Sequence, residues 1–284
     1  MSTMFPRTEV AGISLPRMLM GTNWLLGFSH TSSAADKLIR QRNDNVQAVA
    51  EIAEVFLSHG IDACMAPFTN HPVLVDGIHA AEDKTGKGMI LIDTPGLNVD
   101  DNDDARRESE AIIKKSAALG STFCLIHHQS AEQLVNKNKH QIVRLPDYTK
   151  MIRDAGMIPG LSAHMPELIV YSDENEYDVQ TYIQIYNCMG FLMQVEIESV
   201  NRIIWEAKKP VMSIKSMAAG RCSPFVGLNF SYQTLRPCDM VTVGCLTPME
   251  AEEDIEIGLA AIERRPPAID GRATPVHQSV VIKQ

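Results

Sequence analysis

The chain has 284 residues, of which 45% are hydrophobic, and its 26 basic and 35 acidic side chains give a formal net charge of −9. This acidic balance argues against a nucleic-acid backbone or an anionic membrane as partner, because both favour basic surfaces. No apolar run reaches membrane-spanning length, the N-terminus lacks the layout of a signal peptide, and the six scattered cysteines form no CxxC pair. We therefore expect a cytoplasmic protein with reduced cysteines and a small-molecule substrate.

Short apolar runs alternate with helical patterns along the chain. The predicted strands are Arg17–Leu26, Ile61–Phe68, Gly88–Pro95, Ser121–Gln129, Met157–His164, Phe191–Glu198, Val211–Ser216 and Asp239–Gly244. The predicted helices are Val46–His59, His71–Glu82, Asp103–Leu119, Tyr148–Asp154, Glu174–Cys188, Ser199–Lys208 and Glu250–Arg264. Between the first strand and the first helix, residues 27–45 form either a lid, a surface excursion or an early start of the helix.

Strand followed by helix, repeated about eight times, predicts an α/β protein with a (β/α)8 TIM barrel. A doubly wound open sheet is the alternative, but GTNWLLG after the first strand lacks the GxGxxG spacing of a phosphate turn. We expect one barrel domain over residues 1–265 and a C-terminal tail over 266–284, which contains Pro266, Pro267 and Pro275.

The sixth predicted strand, FLMQVEIE, is the stretch around which this interpretation is organised. At period two it has Met193, Val195 and Ile197 on one face, and Gln194, Glu196 and Glu198 on the other. Such a polar face fits the mouth of a parallel barrel, where side chains at strand ends form the active site. An edge strand with one solvated face is the simpler alternative.

Two constellations at the predicted strand ends could carry chemistry. His128 or His127, His164 and Glu196 come from consecutive strands, and two imidazoles with a carboxylate suit Zn²⁺, Mn²⁺ or Fe²⁺. We therefore predict His128, His164 and Glu196 as metal ligands, and His127, His128 and Glu196 as catalytic residues. Hydrogen-bonded histidines without a metal are the alternative.

Lys215, at the end of the seventh strand, is the remaining catalytic candidate. A lysine inside a barrel can form a Schiff base with a carbonyl compound when burial lowers its pKa. More commonly such a lysine pairs with carboxylates, here Glu196 or Glu198.

Several segments between Ser121 and Ile257 resemble aldo-keto reductases, in that family's order. They are LIHHQ (family LIHxP), GLSAH (GxSN), MQVEIE (QxEY), IKSMAAGR (the strand-seven segment ending in GR) and VTVGCLTPMEAEEDIE (the strand-eight run). The resemblance implies that His127 matches the catalytic histidine and that Ser162, Gln194 and Arg221 contact an NAD(P) cofactor.

The chain departs from the family elsewhere. The resemblance implies an aspartate and a tyrosine near Met65–Asn70 and a lysine near Ile92–Pro95, and none of these is present. Ile197 stands where a tyrosine stacks on nicotinamide, and the acidic PMEAEED would repel a 2′-phosphate. Without a proton donor, carbonyl reduction loses roughly 10²–10⁴ in rate.

Three functions therefore stay open. The first is a barrel enzyme that acts on a small polar metabolite with a carbonyl or hydroxyl group. It would be a lyase, isomerase or hydrolase, with or without a divalent metal. The second is a divergent NAD(P)-dependent oxidoreductase related to aldo-keto reductases, and the third is a non-catalytic binding barrel.

Overall fold

The computed structural model describes residues 4–269 as a closed barrel of eight parallel strands surrounded by helices. The strands are β1 (Met18–Gly21), β2 (Ala63–Ala66), β3 (Ile90–Asp93), β4 (Phe123–Ile126), β5 (Ile158–Ala163), β6 (Tyr182–Ile185), β7 (Val211–Ile214) and β8 (Met240–Gly244). Each strand pairs with the next one along the chain, and β8 pairs with β1 to close the ring. The predicted (β/α)8 fold is confirmed.

Helices follow the strands. They are α1 (Asn23–Leu26), α2 (Ser33–Asn43), α3 (Val46–Ser58), α4 (Pro72–Thr85), α5 (Asp103–Ala118), α6 (His128–Ala131), α7 (Leu145–Asp154), α8 (Glu167–Glu174), α9 (Ile197–Glu206), α10 (Pro224–Thr234) and α11 (Pro248–Glu263). Side-chain oxygens of Asn45, Asn102 and Thr247 accept an amide hydrogen bond of the first turn in α3, α5 and α11. These caps satisfy amides that would otherwise lack a partner, so the sequence signals the start of each helix.

A two-stranded hairpin, Arg7–Val10 and Ile13–Pro16, closes the N-terminal end of the barrel. Its Val10 and Leu15 are fully buried and pack against the apolar side chains inside the barrel. The interior cluster comprises Leu19, Ala63, Met65, Ile92, Phe123, Leu125, Ile183, Met212 and Met240. Within residues 4–269 the bottom and centre of the barrel are therefore an apolar core, and the opposite end is the one left open for a ligand.

The predicted sixth strand is wrong. The observed β6 is Tyr182–Ile185, inside the segment predicted as the helix Glu174–Cys188. Residues 191–196 form a loop, Ile197 and Glu198 begin α9, and Gln194, Val195 and Glu196 are exposed. The period-two alternation of FLMQVEIE therefore reflects a surface loop and not a strand that faces the barrel mouth. Helix α10 was also not predicted.

Residues 27–45 contain a separate helix, α2 at Ser33–Asn43, which ends before α3 begins at Val46. The segment is therefore not an early start of α3, and its function as a lid stays a prediction. Most of the predicted tail, from residue 270 onward, lies outside the described residues, and the single-domain boundary at residue 265 stays a prediction. Within residues 4–269 no helix combines the length and apolar character needed to cross a membrane.

Candidate functional site

The C-terminal ends of the barrel strands surround a cavity of about 480 Å³. Its wall continues the alternation of the strands. The interior residues Ile92, Leu125 and Met212 are each followed two positions later by a lining residue, Thr94, His127 and Ile214. The polar lining residues are Thr22, Asn23, His30, Asn70, His71, Thr94, His127, His128, Gln129, Ser162, His164, Lys215, Ser216 and Thr242.

Lys215 follows β7 and lines this cavity without a counter-charge. Among residues 4–269 its ammonium group has no ion pair or hydrogen bond, and burial alone lowers its pKa to about 8. Its backbone φ of +60° lies in the left-handed region, which a residue with a Cβ rarely adopts. The interpretation of Lys215 as the partner of Glu196 or Glu198 is therefore wrong, and the strained backbone is typical of a functional position.

Three histidines from two neighbouring strands form a stack beside Lys215. The ring centroids of His127 and His128 are 4.2 Å apart, and those of His128 and His164 are 3.7 Å apart. Burial, then the neighbouring imidazole, then Lys215 lower the pKa of His127 to about 4 and that of His164 to about 3. Burial and Lys215 also lower the pKa of His128. At neutral pH the three rings are uncharged.

The tautomer of His127 can be inferred from its hydrogen bonding. Its Nδ1 accepts a hydrogen bond from the amide of Gln129, at 3.4 Å. A neutral imidazole that accepts at Nδ1 carries its proton on Nε2. His127 therefore offers an N–H donor from Nε2, while its Nδ1 is taken up by the backbone.

A carboxylate does lie beside the histidines, but it is Glu132 and not Glu196. Atoms of His128, Glu132 and His164 that could bind a metal lie within 4.8 Å of one another. However, the planes of His128 and His164 differ by only 17°, so their in-plane lone pairs run side by side and do not converge on one ion. Glu132 Oε1 also accepts hydrogen bonds from the amides of His164 (2.6 Å) and Met165 (2.9 Å). In this arrangement the three residues do not fit a shared metal.

The structure brings His127, His128, Ser162, His164 and Lys215 together at the cavity, as the strand-end pattern predicted. It does not bring the other predicted residues there. Gln194 and Glu196 are exposed and do not line the cavity, because they belong to the loop before α9 and not to β6. The predicted placement of Glu196 among the metal ligands and catalytic residues, and of Gln194 beside a cofactor, is therefore corrected.

Arg221 braces the rim of the cavity and does not line it. Its guanidinium carbon lies 3.9 Å from the centroid of the Phe191 ring, and its Nη2 donates to the carbonyl of His30 at 3.0 Å. The residue thus connects the loops that follow β1, β6 and β7. Its predicted contact with a cofactor stays a prediction, and the observed role is to hold these loops together.

Sequence reasoning did not predict several residues at or beside the cavity, among them His30, His71, Thr94 and Glu132. Thr94 directly follows Asp93, so the strand-end rule could have found it. His30 and His71 lie in the connections after β1 and β2, and Glu132 begins a short 3₁₀ helix, Glu132–Leu134. No strand-end signal marks these three positions.

Comparisons with known proteins place the fold. No protein-family model and no curated protein matches the chain. A Pseudomonas aeruginosa structure assigned to the aldo-keto reductases is 14% identical, with a TM-score of 0.64 over 92% of this chain and 97% of the other. A Klebsiella pneumoniae aldo/keto reductase in complex with NADP and acetate is 13% identical, with a TM-score of 0.54 over 98% and 95%.

Another barrel is similar at nearly the same level. Orotidine 5′-monophosphate decarboxylase of Methanocaldococcus jannaschii is 13% identical, with a TM-score of 0.50 over 86% of this chain and 98% of the other. Identities this low show the fold alone. The chain is thus a TIM barrel, and the resemblance to aldo-keto reductases predicted from its sequence is confirmed at the level of the fold.

Proposed function

We propose that this chain is an enzyme that forms an imine between Lys215 and the carbonyl group of a small polar metabolite and then acts as a lyase. The observation that carries the proposal is the position of Lys215, which lines a cavity with no carboxylate partner among residues 4–269. A lysine with a pKa of about 8 is partly neutral near physiological pH, and the neutral amine is the nucleophile.

The chemistry requires proton transfers that the neighbouring histidines can support. The amine nitrogen adds to the carbonyl carbon, and the carbonyl oxygen leaves as water once two protons have been transferred to it. The resulting iminium accepts the electron pair of the bond between the carbons α and β to the former carbonyl, so that the α carbon becomes part of an enamine. The β fragment leaves as a carbonyl compound, after its hydroxyl has lost a proton, or as carbon dioxide. The enamine takes up a proton at the α carbon, and water hydrolyses the imine and returns free Lys215. The uncharged rings of His128 and His164 each offer one nitrogen that accepts a proton and one N–H that donates, so they can relay these protons. Their lowered pKa values make them weak bases, which favours relaying a proton over holding it.

Reductive trapping tests the proposal. The protein is mixed with small aldehydes and ketones, reduced with sodium borohydride, and digested for peptide mass spectrometry. We expect an adduct on Lys215 that is absent in Lys215→Arg and unchanged in Lys150→Arg, a matched variant at an exposed lysine paired with Asp154. Labelling that is spread over surface lysines and no stronger at Lys215 would refute the proposal.

A metal-assisted reaction has weaker support, because the parallel rings of His128 and His164 do not converge on an ion. Its test is metal analysis of the purified protein, with His164→Ala and Glu132→Ala as variants. Bound Zn²⁺, Mn²⁺ or Fe²⁺ that is lost in both variants would favour it over imine chemistry.

An NAD(P)-dependent reaction also has weaker support. Ser162 lines the cavity, but Gln194 does not, and no tyrosine or carboxylate is among the lining residues. Trp24 does line the cavity, so a bound nicotinamide would change its fluorescence. Quenching by NADPH at micromolar concentration would favour this reaction.

Ligand binding without any turnover or adduct would favour a non-catalytic barrel.

A further inference from the structure

Two hydroxyl groups in the cavity wall have no role in the chemistry above. Thr94 is 8% exposed and Ser162 is 4% exposed, and both line the cavity. Neither hydroxyl forms a hydrogen bond with any of residues 4–269; Thr94 directly follows β3, and Ser162 lies in β5. Because both residues line the cavity, their hydroxyl groups are available to a ligand that enters it.

His127 directly follows β4, which lies between β3 and β5 in the barrel. The strand order is β3, β4, β5, and the pairing of Ile126 with Leu161 puts His127 level with Ser162 on the neighbouring strand. Paired strands are about 4.8 Å apart, so the two side chains are adjacent. The pairing of Asp93 with Cys124 puts Thr94 one layer deeper in the barrel. Nε2 of His127 and the two hydroxyls thus form one patch of hydrogen-bond donors.

The charge of the cavity indicates what these donors bind. The lining residues include Lys215 and five histidines but no aspartate or glutamate, in a chain whose formal net charge is −9. The charge of Lys215 reaches His30, His127, His128 and His164, since it lowers the pKa of each. Glu132 lies beside the histidines, but it does not line the cavity, and its Oε1 accepts hydrogen bonds from the amides of His164 and Met165. A cavity lining with a cation, hydrogen-bond donors and no carboxylate favours an anion over a neutral polyol.

We propose that Thr94, His127 and Ser162 form a subsite for an anionic group, a carboxylate or a phosphate, on the carbonyl compound that reacts with Lys215. This inference rests on the proposed function and narrows its substrate class to keto acids or phosphorylated carbonyl compounds. Ser162 is two strands away from Lys215 around the barrel, across β6. The anionic group of a small substrate can therefore bind the hydrogen-bond donors while its carbonyl group lies at Lys215.

Matched pairs of carbonyl compounds test the inference. The full chain is reduced with borohydride in the presence of pyruvate or its neutral counterpart hydroxyacetone, and of dihydroxyacetone phosphate or dihydroxyacetone. Each yield on Lys215 is divided by the yield on free Nα-acetyl-lysine, which removes the intrinsic reactivity of the compound. We expect at least one anionic member to exceed its neutral counterpart about tenfold, as one charge-assisted hydrogen bond predicts. The pair that responds distinguishes carboxylate from phosphate.

Three variants link this preference to the patch. Ser162→Ala and Thr94→Val each remove a hydroxyl with little change in volume, and we expect both to reduce the preference severalfold. Ser172→Ala is the control, because Ser172 in α8 is also a buried hydroxyl residue but does not line the cavity. Equal labelling by anionic and neutral compounds, or a preference that survives in both cavity variants, would overturn the inference.

Direct binding separates this inference from the proposed function. Lactate and inorganic phosphate have no aldehyde or ketone group, so they cannot form an imine. Their affinity, measured by titration calorimetry, therefore reports on the subsite alone. If no compound labels Lys215 but lactate or phosphate binds and Ser162→Ala weakens it, the lyase proposal fails and the subsite stands. If Lys215 is labelled without preference, the lyase proposal stands and the subsite fails. If neither labelling of Lys215 nor binding of lactate or phosphate is found, both the lyase proposal and the subsite fail.

Discussion

The two ends of the barrel hold buried charge in opposite ways. At the bottom of β8, Asp239 is fully buried, and its two oxygens accept hydrogen bonds from the Arg236 guanidinium at 2.7 and 2.9 Å. The amide of Val211, at the bottom of β7, adds a third bond at 2.8 Å. At the top of β7, Lys215 has no such partner, and its backbone is in the left-handed region.

This contrast identifies the end at which function resides. The lower end combines paired charge with apolar packing, as a region selected for stability does. The upper end contains an unpaired cation, unpartnered hydroxyls and a run of left-handed residues at Lys215, Ala218 and Ala219. Such features lower stability, and they persist where a ligand or a reaction needs them.

The largest expected effect is at the bottom of the barrel. Asp239→Asn removes the charge that balances Arg236, and breaking a buried ion pair costs roughly 3 kcal/mol or more of the free energy of unfolding. Urea denaturation measures this loss. At the top, Ser162→Ala removes a hydroxyl that has no protein partner, so we expect a change below about 1 kcal/mol. Equal losses in the two variants would contradict the contrast between the ends.

Acid should lower the stability of the protein through the histidines at the upper end of the barrel. The pKa of His127 is lowered to about 4 and that of His164 to about 3, whereas both have a pKa near 6.5 when unfolded. The unfolded chain therefore binds more protons below pH 6.5, and stability falls as the pH drops from 6.5 towards the folded pKa values. By pH 5 we expect a loss of about 2 kcal/mol, after discounting for the partial exposure of the rings.

Denaturation at a series of pH values checks this expectation. The variant with His127→Asn and His164→Asn should lose less stability between pH 6.5 and 5 than the unmodified protein. His79→Asn is the control, because His79 is exposed on α4, away from the cavity. A double variant with the same pH dependence as the unmodified protein would show that other groups control acid stability.

Much of the fold was predictable from sequence, because every strand except one is an apolar run followed by a helix. Each of the other seven predicted strands contains an observed barrel strand. The exception has a physical cause. Strand β6 is as short as most of the other strands, but the large polar residue Gln184, which is fully buried behind the barrel wall, interrupts its apolar run. This interruption gives a weaker pattern than FLMQVEIE, whose alternation arises in a surface loop.

The candidate site was predictable to the extent that it depends on strand ends. His127, His128, Ser162, His164 and Lys215 were found because parallel strands bring their C-terminal ends together. Gln194 and Glu196 were misplaced with the strand that carried them. Glu132 and His30 belong to loops, whose path depends on tertiary contacts that no local pattern encodes.

The unpaired cation should make Lys215 a source of instability. In Lys215→Met the charge is gone, so we expect a gain of about 1–2 kcal/mol at pH 7. The folded pKa is about 8 and the unfolded one 10.5, so the stability of the unmodified protein rises between these pH values and the advantage of the variant narrows. Thermal unfolding at pH 7 and 10 measures this. The control is Lys150→Met, which breaks the exposed ion pair with Asp154 and should change stability by less than about 0.5 kcal/mol. Destabilisation by Lys215→Met would contradict the interpretation that Lys215 has no partner.

The smallest effect is expected at the rim, where Arg221 joins three loops. Arg221→Ala removes the contact with the Phe191 ring and the bond to the His30 carbonyl, together worth about 0.5–1 kcal/mol at a site this exposed. Because the contacts are local, hydrogen exchange should quicken at residues 28–31 and 189–193 and stay unchanged at the Asp239 end. Arg221→Lys keeps the charge but loses the planar stacking group, so it should restore only part of the protection. Faster exchange throughout the barrel would instead make Arg221 part of the stable core, and the division between the two ends would then not extend to the rim.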